Sequence, residues 1–224
     1  MKLLDKEIKL AILDLDGTLI DSTGIWHTID TNFFAKRGME IPKGYFEAIC
    51  HLGLKATATY TKKTYGIKES EEDIIKEWQE ASKDQYLNYI ELKPYVKEFL
   101  EYLKSNKVKI ALATANDKEL YEPCMKRLGI YDYFDFIVDV NLVKEGKHSP
   151  RIFEMVNENF GIDKANTVVV EDIYTSLQTA YENGYITVGV ADKASEPTVE
   201  LKKKYSHIYV ETLKELIKQI TKHV

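Results

Sequence analysis

Two carboxylates two residues apart, Asp14 and Asp16, stand at the end of a short apolar run, Ile8 to Leu15, and lead straight into Gly17-Thr18. Oxygen groups so close together suit a hard divalent cation. A plain turn, with Asp and Gly serving geometry alone, is the bland alternative. A calcium loop of the EF-hand kind does not fit, because Gly17 falls at loop position four rather than six and Ile25 would fill position twelve. Three further signals follow along the chain. Thr114 ends the run VKIALAT, Glu171-Asp172 follow TVVV, and Lys147 precedes Pro150 in GKHSPRIF. Taken singly, each has an ordinary explanation: β-propensity for the threonine, a helix cap for the acidic pair, a solvated charge for the lysine. Jointly they place polar groups at three strand ends and one helix start. There they can form a site for Mg²⁺ and a phosphate, with Lys147 and Thr114 neutralising the phosphoryl group.

Those residues need a scaffold. The dense apolar runs Ile8–Leu15, Val108–Thr114, Thr167–Val170 and Tyr185–Val190 read as strands buried on both faces of a parallel sheet. A weaker fifth run lies near Ile137. Helical patterns fall between them, at Tyr95–Lys104, Leu120–Leu128, Ile152–Phe160 and Tyr174–Asn183. Gly129, Gly161 and Gly184 are placed to close helices. Strands alternating with helices predict an α/β fold with a Rossmann-like, doubly wound parallel sheet. In such sheets ligands bind beyond the carboxyl ends of the strands.

Residues 20–90 break the rhythm. They hold no convincing strand and four amphipathic helical stretches, one of them opened by Ser70 with Asp73 in a capping-box spacing. The predicted organisation is therefore an α/β core, residues 1–19 and 91–224, carrying an inserted all-helical cap, residues 20–90. The end of the chain, Thr212–Val224, reads as an amphipathic helix on the sheet edge.

Composition narrows the function. Of 224 residues 44% are hydrophobic and 30% charged, which supports a sizeable core and excludes a disordered chain. The net charge of −5 argues against a nucleic-acid partner. No apolar run reaches the length of a membrane span, and the N-terminal stretch carries acids where a signal peptide is apolar. Two distant cysteines, Cys50 and Cys124, predict a reducing cytoplasmic location rather than a disulfide framework. A monomer is the default expectation.

The ordered motifs resemble the haloacid dehalogenase superfamily. DLDGT at 14–18 matches its D-x-D-G-T motif, and LAT ending at Thr114 matches its second. GKHSPRIF at 146–153 resembles G-K-x-x-P-D-I-F, and VVVEDIYTSLQTAYENG at 168–184 resembles the fourth motif. A helical insert straight after the first motif is similar to that superfamily's first cap type. The nearest likeness is to its β-phosphoglucomutase-like sugar phosphatases. Arg151, Ile173 and Ser176 depart from the usual Asp, Ser and Gly. The resemblance implies Asp14 as nucleophile and Asp16 as general acid and base. It implies Mg²⁺ held by Asp14, the Asp16 carbonyl, Glu171 and Asp172, and phosphate bound by Thr114, Lys147 and Asn116. For Asn116 a helix N-cap is an equal alternative.

The expected activity is a Mg²⁺-dependent phosphatase acting on a small phosphorylated metabolite, a hexose phosphate for choice. A phosphosugar mutase and a non-catalytic phosphate-binding module are the competing readings. Mutases of this group carry an Arg in a G-x-x-R cap segment. Here Gly53-Leu54-Lys55-Ala56 has Ala56 in its place, which favours the phosphatase, with Lys55 a partial substitute as a point charge. Trp26 and Trp78 read as packing residues, and His27, His51 and His148 as ordinary surface or cap residues.

Overall fold

The computed structural model describes residues 1–50 and 52–221. A short antiparallel hairpin, β1 (Lys2–Leu3) and β2 (Lys6–Glu7), precedes the main sheet. That sheet is built from β3 (Leu10–Leu13), β4 (Lys109–Thr114), β5 (Phe136–Asp139), β6 (Thr167–Glu171), β7 (Ile186–Val190) and β8 (Ile208–Val210). All pairings are parallel, in the order β5-β4-β3-β6-β7-β8. The strand order reverses at β3, whose neighbours β4 and β6 come from successive halves of the chain. This is the switch point at which doubly wound sheets open a crevice.

The expected strands form, with one addition. The three residues of β8 lie between Ser206-His207 and Glu211, too short a stretch to show a period. The first strand is shorter than the apolar run, because the chain turns directly after it. The Leu15 carbonyl accepts the amides of Thr18, Leu19 and Ile20 at 3.3, 2.8 and 3.0 Å.

Alternate residues of each strand feed separate layers. Ala11, Leu13, Ile110 and Leu112 pack with Phe99, Leu100 and Leu103 of α5 (Val96–Ser105), Leu120 and Cys124 of α6 (Lys118–Arg127), and Leu213 and Leu216 of α11 (Leu213–Thr221). Leu10, Ile12, Ala111 and Ala113 pack on the other face with Ile152, Phe153 and Val156 of α8 (Arg151–Phe160) and Ala180 of α9 (Tyr174–Glu182). This period-two split is what makes the strands read as continuous apolar runs. Two short helices, α7 (Val140–Val143) and α10 (Val199–Lys204), fill connections. The C-terminal helix occupies the expected tail up to Thr221; residues 222–224 lie outside the described residues.

Between β3 and α5 the chain makes four helices: α1 (Thr23–Ala35), α2 (Tyr45–Ile49), α3 (Leu54–Tyr65) and α4 (Glu71–Asp84), the last running on as a π-helical turn over Gln85–Tyr89. Ser70 opens α4 by accepting the Asp73 amide at 3.0 Å, while its hydroxyl donates to the Asp73 carboxylate at 2.7 Å. These helices bury their own cluster, Ile29, Phe33, Phe34, Tyr45, Ile74 and Trp78 among it, apart from the two sheet layers. Phe34 sits at its centre, edge-on to Phe33, Tyr45 and Tyr65 with centroids 5.5, 5.0 and 5.5 Å away. Among the described residues no helix is long and apolar enough to cross a membrane.

A cluster that packs on itself should open by itself. Phe34→Ala should cost about 3–5 kcal/mol. Amide hydrogen exchange should place the lost protection in residues 23–84 and leave strands β3, β4 and β6 protected. Equal loss in the sheet would mean that the helices and the core unfold as one unit.

Candidate active site

Parallel register brings the acidic motifs together. Leu13 pairs with Val170 across β3 and β6, and the Asp14 amide continues the ladder to the Val170 carbonyl at 3.0 Å. Asp14 and Glu171 are thus next-door positions at adjacent strand ends. Asp14, Glu171 and Asp172 are all buried, and each offers a carboxylate oxygen within 4.8 Å of the others. Lys147, 4% exposed, reaches in from the turn before α8. Its Nζ donates to Asp14 Oδ1 and, at 2.9 Å, to Glu171 Oε2. The second Glu171 oxygen accepts the amides of Asp172 and Ile173 at 3.0 and 3.2 Å. Thr18 Oγ1 donates to Asp172 Oδ1 at 3.2 Å.

The loop after β3 is shaped around this cluster. Gly17 takes φ +82°, and a Cβ there would lie 2.5 Å from Asp172 Oδ2, so the position needs glycine on both counts. Lys93, just past the insert, pins the loop. Its Nζ donates to the Gly17 carbonyl, to the Ala191 carbonyl at 2.8 Å and to Asp192 Oδ2 at 3.0 Å.

Asp16 faces a different set of partners. Its Oδ1 accepts from Ser22 Oγ and from the Tyr86 hydroxyl, and its Oδ2 accepts from Asn116 Nδ2 at 3.0 Å. Tyr86 belongs to the π-helical turn at the end of the insert, and Trp26 Nε1 donates to its hydroxyl at 2.8 Å. Asn116 therefore orients Asp16, while its Oδ1 accepts the Asp117 amide at 2.8 Å. It does not cap α6, whose N-cap is Asp117. Thr114, fully buried, accepts the Asn116 amide at 3.0 Å. Its own O–H has no protein acceptor among the described residues and stays available to donate.

The electrostatics are unbalanced. Burial, with the charge of Glu171 added, pushes the Asp14 carboxyl up to about 8 against the pull of Lys147. Burial, Glu171 and Asp14 drive Asp172 well above the usual carboxylate range. Burial also raises Asp16, although Ser22, Tyr86 and Asn116 pull it back. For Lys147 burial works downward, but Asp14 and Glu171 outweigh it and hold the ammonium above its ordinary value. One ammonium faces three buried carboxylates. A hard divalent cation would settle the excess, and the all-oxygen donor set of Asp14, Glu171 and Asp172 fits one.

A cavity of about 140 Å³ opens between the core and the inserted helices. Asp14, Asp16, Asn116, Lys147 and Glu171 line its core side. Trp26 and Trp78, which pack in and against the cluster of the inserted helices, line the other side. Ser176, where Gly is usual, borders it too, with a buried hydroxyl that has no partner. Arg151 is turned outward, paired with Glu158 at 2.7 Å. His27 and His148 are exposed; His51 lies outside the described residues. Ser22, Tyr86 and Lys93 had no local signal in the sequence. Tyr86 and Lys93 meet their targets 70 and 76 residues away.

The chain is similar to known proteins. A family model described as haloacid dehalogenase-like hydrolase matches residues 11–190. The chain is 27% identical over 177 residues to a phosphorylated carbohydrates phosphatase of Thermotoga maritima, covering 79% of this chain and 82% of that protein. It is 26% identical over 190 residues to a phosphoglycolate phosphatase of Neisseria meningitidis, covering 83% and 81%. The β-phosphoglucomutase of Clostridium difficile shares the fold, with a TM-score of 0.77, 20% identity and coverage of 96% and 98%.

The raised carboxyls make stability depend on pH. The folded, metal-free protein holds protons that the same groups release in the unfolded chain, between the ordinary 3.8 and about 8 for Asp14. Their contribution is therefore fullest at the acid end and is lost as pH rises through that window. Thermal unfolding in chelator should show a lower Tm at pH 8 than at pH 5, and a divalent cation should narrow the gap. A metal-free Tm that rises across this range would contradict the assigned shifts.

Proposed function

The chain belongs to the haloacid dehalogenase-like hydrolases, and from that membership we propose that it is a Mg²⁺-dependent phosphatase of a small phosphorylated metabolite, most simply a sugar phosphate. The observation that carries this reading is the convergence of Asp14, Lys147, Glu171 and Asp172 at one end of the sheet, with Asp16 held apart by its own donors.

The division of labour follows from the partners. Asp14 is the nucleophile: a carboxylate oxygen attacks phosphorus, the bond from phosphorus to the leaving alcohol oxygen breaks, and an aspartyl-phosphate forms. Lys147, already bonded to Asp14, keeps the carboxylate aimed and offers positive charge to the phosphoryl oxygens. Asp14, Glu171 and Asp172, with the Asp16 carbonyl, would hold Mg²⁺, which would supply the charge needed to overcome repulsion between a carboxylate and an anionic phosphate. Asp16 gives its proton to the departing alkoxide. It then takes a proton from the water that attacks phosphorus, which frees Asp14 and releases orthophosphate. Ser22, Tyr86 and Asn116 hold the Asp16 carboxyl in place for both transfers. Thr114 donates its free O–H to the phosphoryl group. The inserted helices, residues 20–90 in this reading, act as a cap that excludes bulk water.

The mutase reading requires a cationic grip on a second phosphate. Ala56 stands where the arginine would be, and both Ala56 and Lys55 are exposed. They line a separate groove with Val140 and Asn141, which none of Asp14, Asp16, Glu171 and Asp172 lines. This supports hydrolysis over phosphoryl return.

Asp14→Asn should abolish measurable phosphate release while leaving the folded protein's circular dichroism intact. Excess chelator should do the same reversibly, with Mg²⁺ restoring activity. Near-normal turnover in either case would remove the mechanism. In a paired assay, phosphate release from a hexose phosphate should exceed interconversion of the 1- and 6-phosphates with bisphosphate added; the opposite order would establish the mutase.

The acid role has its own signature. Asp16→Asn should slow turnover of alkyl phosphates by about 10²- to 10⁴-fold. The first step with p-nitrophenyl phosphate should lose less, because that leaving group needs little protonation. Equal losses for both would show that Asp16 is not the acid.

A further inference from the structure

The half of the cavity formed by the inserted helices contains two polar groups that the fold leaves without partners. Asp30 of α1 is 5% exposed and, among the described residues, has neither a hydrogen bond nor an ion pair. Trp78 of α4 is 2% exposed, and its indole N–H has no acceptor. Both line the same cavity as Asp14 and Lys147, with Ile49, Leu52 and Leu54 as apolar neighbours. Burying a lone acceptor and a lone donor each costs free energy, and folded proteins rarely leave such groups unmet. For Asp30, burial pushes the carboxyl up to about 7.

The charges of this wall are equally informative. Lys147 is the only cationic side chain lining the cavity among the described residues, and it is already engaged by Asp14 and Glu171. Asp30, on the inserted helix α1, adds an acidic group to this wall and no cation. A second anionic group on the substrate would meet no cation there and would face the Asp30 carboxyl. A hydroxylated carbon skeleton meets complementary groups instead, with one hydroxyl to donate, one oxygen to accept, and apolar C–H edges for the aliphatic wall.

We propose that Asp30 and Trp78 form the alcohol-binding half of the site and select phosphomonoesters of uncharged, polyhydroxylated alcohols, rejecting those whose alcohol carries a second anion. Asp30 takes a hydroxyl proton as hydrogen-bond acceptor, and Trp78 Nε1 donates to a second oxygen. The proposal rests on the phosphatase reading and adds to it the residues that discriminate between substrates. It sets the chain apart from relatives whose substrate is phosphoglycolate, a phosphomonoester with a carboxylate on its alcohol.

The test compares kcat/KM for glucose 6-phosphate, phosphoglycolate and fructose 1,6-bisphosphate, with p-nitrophenyl phosphate as a reference that has no hydroxyl. Wild-type enzyme should prefer glucose 6-phosphate to either substrate with a second anionic group by about tenfold or more. Asp30→Asn and, separately, Trp78→Phe should each lower the ratio of glucose 6-phosphate to p-nitrophenyl phosphate by about 10- to 100-fold, mostly through KM. Asp30→Asn should also raise phosphoglycolate turnover relative to wild type. A wild type that takes phosphoglycolate or the bisphosphate at least as well as glucose 6-phosphate overturns the proposal, as does an unchanged ratio in Asp30→Asn. Failure to hydrolyse even p-nitrophenyl phosphate would instead remove the phosphatase reading. Calorimetric binding to the Asp14→Asn protein then decides alone: glucose 6-phosphate should bind more tightly than phosphoglycolate, and the reverse order overturns the selection.

Discussion

The geometry of this protein turns on one buried ammonium. Lys147 Nζ is shared between Asp14 and Glu171, with Asp172 at the edge of the same cluster. Three carboxylates cannot be buried side by side without positive charge close by. Removing one partner from a buried pair typically costs about 3–5 kcal/mol. The cluster therefore constrains everything that delivers it: the register of β3 against β6, the turn before α8, and the glycine that lets the loop after β3 approach Asp172. It also leaves an excess of negative charge, which a hard cation would balance.

A second constraint joins the inserted helices to the chemistry. The Tyr86 hydroxyl, at the end of the insert, reaches Asp16 and is itself held by Trp26. Lys93, just past the insert, ties the loop carrying Asp16 and Gly17 to Ala191 and Asp192 beyond β7. Gly53 allows close approach at another point, since a Cβ there would fall 2.5 Å from Val140 Cγ2. The two carboxylates of the first motif thus answer to different parts of the molecule. Asp14 is governed by the sheet and Asp16 largely by the insert. The two carboxylates can be tuned separately although a single residue stands between them.

The division also accounts for how the cavity is built. Its core side is made of groups held by hydrogen bonds to one another, and its other side carries Asp30 and Trp78 Nε1, which have no such bonds. A site that must meet the same phosphoryl group at every turnover has reason to be preorganised. A site that meets a variable alcohol can leave its donors and acceptors open until the ligand supplies the partners.

The apolar runs named five strands of the main sheet, because strands buried on both faces need continuous apolar sequence. Helical periodicity named the helices, because one face of each must be buried. The residue types at the strand ends named the chemistry: Asp14, Asp16, Thr114, Lys147, Glu171 and Asp172 were all visible as candidates. What the sequence could not decide was what each polar group would meet. Lys147 looks like any other lysine until the fold buries it against Asp14, and Asn116 could cap a helix or hold a carboxylate until Asp16 is placed beside it. Tyr86, Lys93, Asp30 and Trp78 carried no local sign at all. Periodicity reports which face of an element is apolar, whereas the energy of a hydrogen bond or a buried charge depends on neighbours tens of residues away. Only the tertiary structure brings those neighbours within three ångströms.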